Sequence, residues 1–106
     1  MSESAPKEVN LEAYLIRKVC DLGGKCMKLV SPGSAGMPDR LIVLPGGVVA
    51  FVELKRLGEE PSDLQTKRIA DLHKLGANAY WASTKERVDA VMRELEFERD
   101  MFVAFP

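Results

Sequence analysis

Three residues near the middle of the chain have the types and spacing that chemistry on a phosphate ester needs: Asp39, Glu53 and Lys55. Glu53 and Lys55 are two positions apart at the end of an apolar, strand-like segment, so their side chains point to the same face. Charged groups beside a buried wall are costly unless they are paired or bound to something. Asp39 follows Pro38 at the start of the preceding strand-like segment. If the two segments form a hairpin, Asp39 and Glu53 converge.

Two converging carboxylates form an oxygen site suited to Mg²⁺ or Mn²⁺. Such a cation neutralises phosphate charge and makes a bound water acidic enough to act as a nucleophile near neutral pH. Lys55 would then orient the water or stabilise the charge that develops at phosphorus, since an ammonium group is a compact point charge. The three residues together therefore predict metal-assisted hydrolysis of a phosphate ester.

Two further polar residues are expected at the margin of this site. Glu12 borders the apolar stripe of an N-terminal helix, where it would add a third carboxylate. Gln65 lies four residues before Ile69 and so faces the core side of a second helix, within reach of a water, Lys55 or a phosphate. Each has a structural alternative, because Glu12 suits a helix N-terminus and Gln65 completes a capping box with Ser62. A Glu-X-Lys triplet alone is usually a surface ion pair, so the interpretation depends on the combination.

The elements that must position these residues follow from apolar periodicity and turn residues. Residues at helical spacing predict a first helix from about Glu8 to Leu22, and Pro45-Gly46-Gly47 predicts a hairpin turn. The predicted strands cover Lys25–Val30, Asp39–Leu44, Gly47–Lys55 and Ala77–Ala82. The later helices are predicted from Ser62 to the Gly76 stop and from Thr84 to about Glu96.

This α-β-β-β-α-β-α order predicts an α/β fold with a mixed central sheet flanked by helices, because a hairpin is followed by a crossover helix and another strand. The 106 residues fit one domain. We expect a flexible tail over residues 1–7, a single domain over 8–96, and a C-terminal extension over 97–106. The apolar residues Phe102, Val103 and Phe105 in this extension suggest that it packs on something, such as a partner subunit.

Composition excludes several other classes of protein. The 15 basic and 16 acidic residues give a formal net charge of -1, which argues against a strongly basic coat for nucleic acid. The residues Cys20, Cys26 and His73 are too few for a structural zinc site. The spacing leaves a Cys20–Cys26 disulfide open, but reduced thiols are favoured because no signal peptide is recognised. Apolar runs are too short to span a bilayer, so we expect a soluble, cytoplasmic protein.

The order and context of these residues resemble the VRR-NUC branch of the PD-(D/E)XK nucleases, which have a restriction-endonuclease-like fold. The resemblance runs from Glu8 to about Glu86 and combines Glu12, the loop from Gly36 to Asp39, Glu53-Leu54-Lys55 and Gln65. It implies a metal-dependent DNA endonuclease that uses Mg²⁺ or Mn²⁺. By this resemblance Asp39, Glu53 and the backbone carbonyl of Leu54 are metal ligands, Lys55 is the catalytic lysine, and Glu12 and Gln65 support the site.

The resemblance also implies a substrate and an assembly. Stand-alone members of this size are similar to phage-type enzymes, which are expected to be homodimers that cut branched DNA such as four-way (Holliday) junctions. A two-fold symmetric dimer suits a junction because it presents two sites to two strands. Such a protein would act in a bacterial or phage-infected cell. Candidate phosphate contacts near the site, each equally compatible with a solvated surface charge, are Arg40, Arg56, Lys67, Arg68 and Lys74.

Two other functions are compatible with the same fold. The first is a non-catalytic DNA-binding or assembly module that keeps the nuclease architecture, since fold alone does not fix function. The second is a restriction-type nuclease that reads a base sequence, which we rank last because 106 residues offer no separate recognition element. Retention of every expected site position favours a nuclease over the non-catalytic module.

Overall fold

A computed structural model describes the backbone of residues 8–104 and the side chains of residues 11–102. It contains seven elements in the predicted order: α1 (Glu8–Asp21), β1 (Lys25–Lys28), β2 (Arg40–Leu44), β3 (Val48–Leu54), α2 (Asp63–Lys74), β4 (Asn78–Ala82) and α3 (Lys85–Ala104). The tail predicted over residues 1–7 lies outside the described residues, as do Phe105 and Pro106. The strand predicted to reach Val30 ends at Lys28, and Val30 is exposed.

The four strands form one sheet in the order β1-β2-β3-β4. β1, β2 and β3 pair antiparallel, whereas β3 and β4 pair parallel through the α2 crossover, so the predicted mixed sheet is confirmed. The β2–β3 hairpin turns at Gly46 and Gly47, whose φ angles are 88° and 77°. Glycine adopts such positive φ values without a steric penalty, which is why the Pro-Gly-Gly sequence forms the turn.

The two faces of the sheet are covered differently. The face that carries Ile42, Ala50 and Val52 is buried beneath α1 and α3, and it forms the hydrophobic core with residues such as Leu15 and Leu95. The opposite face is covered mainly where α2 packs on β4. Val49 on that face remains 41% exposed. The side chains of β3 therefore alternate as predicted, with Ala50, Val52 and Leu54 towards the core and Glu53 towards α2.

The last helix is longer than the sequence analysis predicted. α3 continues past Glu96 to Ala104, because no glycine or proline interrupts the chain before Pro106. Its final turns carry three large apolar side chains that are exposed, Phe97, Met101 and Phe102. The C-terminal extension thus begins as a continuation of α3, and its role at a subunit interface stays a prediction. No helix within residues 8–104 is long and apolar enough to cross a membrane.

Candidate active site

The two predicted metal-binding carboxylates meet where β2 begins beside the end of β3. In the hairpin register Arg40 lies opposite Val52, which puts Asp39 next to Glu53 and Leu54. The Asp39 carboxylate accepts a hydrogen bond from the Leu54 backbone N–H at 3.4 Å. The Asp39 backbone N–H in turn donates to the Glu53 carboxylate. The hairpin therefore brings together two acidic side chains that are 14 positions apart in the chain, a separation read from their numbers.

Glu53 is the most constrained acidic group of the site. It is only 7% exposed, although its carboxylate is ionisable. Gln65 Nε2 donates a hydrogen bond to Glu53 Oε2 at 3.0 Å, and Lys55 Nζ lies 3.6 Å from the same oxygen. Burial raises the pKa of Glu53 above its ordinary value, the negative charge of Asp39 raises it further, and Lys55 acts in the opposite direction. The fold thus holds a carboxylate where its ionised form is costly.

Gln65 serves both as a helix cap and as a site residue. Ser62 is the N-cap of α2, and its hydroxyl accepts a hydrogen bond from the Gln65 backbone N–H at 3.1 Å. Gln65 Oε1 accepts from the Ser62 backbone N–H at 2.8 Å, which completes the predicted capping box. The remaining amide nitrogen donates to Glu53. The start of α2 is therefore tied to the carboxylate through one side chain.

Glu12 is placed differently from the sequence prediction. It forms an ion pair with Arg40, which is 8% exposed and lies on the core face of β2 with Ile42 and Leu44. Glu53 points to the opposite face, so Glu12 has a charge partner of its own rather than completing the pair with Asp39. Within the part of the chain that the structure describes, no three acidic, cysteine or histidine side chains cluster as a metal site. The burial of Arg40 also argues against a direct phosphate contact from it.

The donor set nevertheless fits a hard divalent cation. Asp39 and Glu53 offer carboxylate oxygens, which Mg²⁺ and Mn²⁺ prefer, and Mg²⁺ usually needs only one or two protein carboxylates because it keeps several waters. The charge of Asp39 raises the pKa of Glu53, so the two groups repel when both are ionised. A cation between them would remove this repulsion. The fit depends on two carboxylates, and it does not need Glu12.

The other basic candidates differ in their exposure and in their contacts. Lys67 is exposed and pairs with Asp71 one turn along α2. Arg68 Nε donates to the Ala35 carbonyl at 3.0 Å, which ties α2 to the loop that leads to Asp39. Arg56 and Lys74 are exposed. The contacts of these residues with phosphate stay predictions.

The sequence analysis missed an aromatic neighbour of Glu53. In the parallel register of β3 and β4, Trp81 lies opposite Glu53 and so shares its face of the sheet. The Arg87 guanidinium lies 3.9 Å from the centre of the Trp81 ring. The signal available in the sequence was the single tryptophan of the chain in a predicted strand, but its position beside Glu53 depends on the strand register.

Comparison with known proteins gave sequence as well as structural similarity. No family model matches the chain. A protein of Acyrthosiphon pisum secondary endosymbiont phage 1, named "Putative nuclease p44", is 44% identical over 70 residues, which are 66% of this chain and 75% of that protein. A solved "VRR_NUC domain" is 33% identical with a TM-score of 0.77, over 84% of this chain and 97% of that one. A "VRR_NUC domain protein" at 16% identity and a TM-score of 0.64 covers 89% and 90%, and supports the fold alone.

Proposed function

This chain belongs to the VRR_NUC family of nucleases, and on that premise we propose that it hydrolyses DNA phosphodiester bonds with Mg²⁺ or Mn²⁺ held by Asp39 and Glu53. The observation that carries the proposal is the buried Glu53 carboxylate, which meets Asp39, Gln65 and Lys55 at the end of β3. A buried carboxylate with a perturbed pKa and a specific charge partner is typical of a functional site.

Each side chain of the site has a distinct role in this proposal. The cation, when bound, neutralises the phosphate and acidifies a water. Asp39 and Glu53 hold the cation, with the Leu54 carbonyl as a further ligand. Lys55 stands 3.6 Å from Glu53, where its ammonium group can orient the attacking water or stabilise charge on the phosphate oxygens. Gln65 fixes the orientation of Glu53 through its hydrogen bond.

The proposed substrate is branched DNA, four-way junctions in particular, cut by a homodimer. The net charge of -1 is a poor basis for tight binding to plain duplex, because such affinity grows with the number of phosphates that basic residues neutralise. The exposed apolar end of α3 offers a surface for self-association, since large apolar patches on soluble proteins commonly mark interfaces. A two-fold dimer would present one site to each of two strands.

The test is cleavage of labelled four-way junction, flap, duplex and single-stranded DNA in Mg²⁺, Mn²⁺ or EDTA. We expect cutting of the branched substrates in either metal and none in EDTA. Lys55→Ala should lower the rate by about 100-fold or more, which is the effect of removing one preorganised electrostatic group.

Lys85→Ala is the matched control, because Lys85 is an exposed lysine at the start of α3 beside Tyr14. It should cut at the wild-type rate. Binding of junction DNA without cutting in every metal would indicate a non-catalytic module instead. Equal rates for Lys55→Ala and the wild type would remove Lys55 from the site.

A further inference from the structure

A cavity of about 580 Å³ opens beside the proposed cleavage site, at the outer edge of β4. It lies between α2 and α3, and its volume is within the range of sites that hold small organic ligands. The α2 wall includes Thr66 and Ile69, and the α3 wall includes Ala90 and Val91. Trp81 lines the cavity from β4, and Trp81 is the residue opposite Glu53. Neighbouring strands are about 5 Å apart, so Trp81 places one wall of the cavity beside the strand end that carries Glu53, although the carboxylates themselves do not line the cavity.

The outer edge of β4 is already closed to a further strand. The Ala79 carbonyl lies 2.6 Å from His73 Nε2, and the Trp81 carbonyl accepts a hydrogen bond from Arg87 Nε at 3.3 Å. Side chains that cap edge carbonyls block the ladder that an added strand would need. The cavity is therefore poorly suited to an extended peptide.

The side chains that line the cavity are of types that bind nucleobases. The Arg87 guanidinium lies over the Trp81 ring, so a flat cation and an aromatic ring form one stacked surface. Aromatic and arginine planes of this kind hold unpaired bases by stacking, and the charge of arginine favours the adjacent phosphates. At the rim Tyr80 donates to Glu94 Oε1 at 2.9 Å, which leaves the carboxylate able to accept from an N–H group of a base, such as N3–H of thymine.

We propose that this cavity binds an unpaired nucleobase of the DNA substrate, against the Trp81–Arg87 stack and next to the phosphate that is cleaved. The assignment depends on the proposed function, since it takes the bound molecule to be DNA. Base binding in this cavity would favour branched DNA over duplex DNA. A base at a branch point is already partly unstacked, so its insertion costs less free energy than that of a base in a duplex.

Trp81 supplies the test, because it is the only tryptophan of the chain and its fluorescence reports on the cavity. The full chain in EDTA, where no cleavage is expected, is titrated with a single-stranded oligothymidylate and with an abasic strand of the same length. We expect the base-bearing strand to change the Trp81 emission and to bind about tenfold more tightly than the abasic strand, as for one stacked base.

Two variants locate the effect. Arg87→Ala removes half of the stacked surface, and Ala90→Leu fills the cavity from an exposed helix position, so each should remove most of the roughly tenfold preference for oligothymidylate over the abasic strand. Lys85→Ala removes a charge from the same helix, at the side of Tyr14, and should bind like the wild type. Circular dichroism of each variant checks that the fold is retained.

The outcomes separate this assignment from the proposed function. Equal affinity and equal emission change for the two strands, in a protein that cuts junction DNA in Mg²⁺, would overturn the base-binding cavity alone. An Arg87→Ala variant that still distinguishes base-bearing from abasic strands as the wild type does would overturn it as well. A difference between base-bearing and abasic strands that is present in the wild type and lost in both variants supports base binding in the cavity. This conclusion holds even if the same protein cuts DNA in no metal, a result that would overturn the proposed hydrolysis.

Discussion

At the scale of single residues, the site is held together at a cost in stability. Glu53 is buried and faces Asp39, and both conditions raise the pKa of its carboxyl group. Lys55 and Gln65 compensate in part, through an ion pair and a hydrogen bond. Functional sites commonly keep such unfavourable groups, because activity and stability make different demands on the same position.

We expect Glu53→Gln to be at least as stable as the wild type at pH 7. The amide cannot ionise, and its oxygen can still accept the hydrogen bond from Gln65. The pKa of Glu53 is higher in the folded protein than its ordinary value of 4.5. Protonation of Glu53 therefore adds to the stability of the wild type below pH 4.5, and this added stability is lost as the pH rises through the pKa of the folded state. The advantage of the variant in melting temperature should therefore grow with pH from about 4.5 upwards. A melting curve that is lower than wild type at pH 7 but equal at pH 4 would contradict the raised pKa.

If Glu12 serves as the ion-pair partner of Arg40, its substitution should have a different effect from the substitution of a third metal ligand. Glu12→Gln leaves the buried Arg40 guanidinium without its counter-charge, so we expect a loss of about 1–3 kcal/mol in the free energy of unfolding, measured with urea. The affinity for Mn²⁺, measured by calorimetry, should stay near the wild-type value. A large loss of Mn²⁺ affinity without loss of stability would identify Glu12 as a ligand.

At the scale of elements, the start of α2 couples helix stability to the site. Ser62→Ala removes the hydroxyl of the capping box and should cost about 1 kcal/mol. Thr84→Ala is the matched control, because Thr84 Oγ1 accepts from the Arg87 backbone N–H in the same way at the start of α3. For a similar loss of stability in thermal melts, the Ser62 variant should lose more cleavage activity, since the first turn of α2 carries Gln65, whose side chain donates to Glu53. Equal losses of activity would mean that the cap does not position Glu53.

The elements also show what the sequence could and could not predict. The hairpin, the alternation along β3 and the capping box follow from short-range patterns, and each is confirmed. The burial of Arg40 was also open to prediction, because alternation puts it on the face of Ile42. The position of Trp81 beside Glu53 was not, because it depends on how β4 aligns with β3 after a crossover helix. Local patterns fix faces and turns, whereas the register of a parallel pair is a property of the folded chain.

At the scale of the whole molecule, the exposed end of α3 is the feature that a single chain leaves unexplained. If Phe97 lies in a homodimer interface, Phe97→Lys should weaken the dimer at least tenfold, measured by sedimentation, because a charge replaces a large apolar contact. The fold should survive, since Phe97 is 67% exposed. Glu86→Lys changes an exposed residue in the first turn of the same helix and is the control. Identical sedimentation of the Phe97 variant and the wild type would exclude this face from the interface.

The most direct test of a metal-dependent site at Asp39 and Glu53 is the single-turnover rate at which Glu53→Gln cuts junction DNA across a range of Mg²⁺ concentrations. Because this variant is expected to be at least as stable as the wild type, a loss of cleavage cannot come from unfolding. We expect no measurable cutting at Mg²⁺ concentrations that saturate the wild type, in a protein that melts no lower. Cutting at the wild-type rate and with the wild-type dependence on Mg²⁺ would show that the buried carboxylate is not a metal ligand.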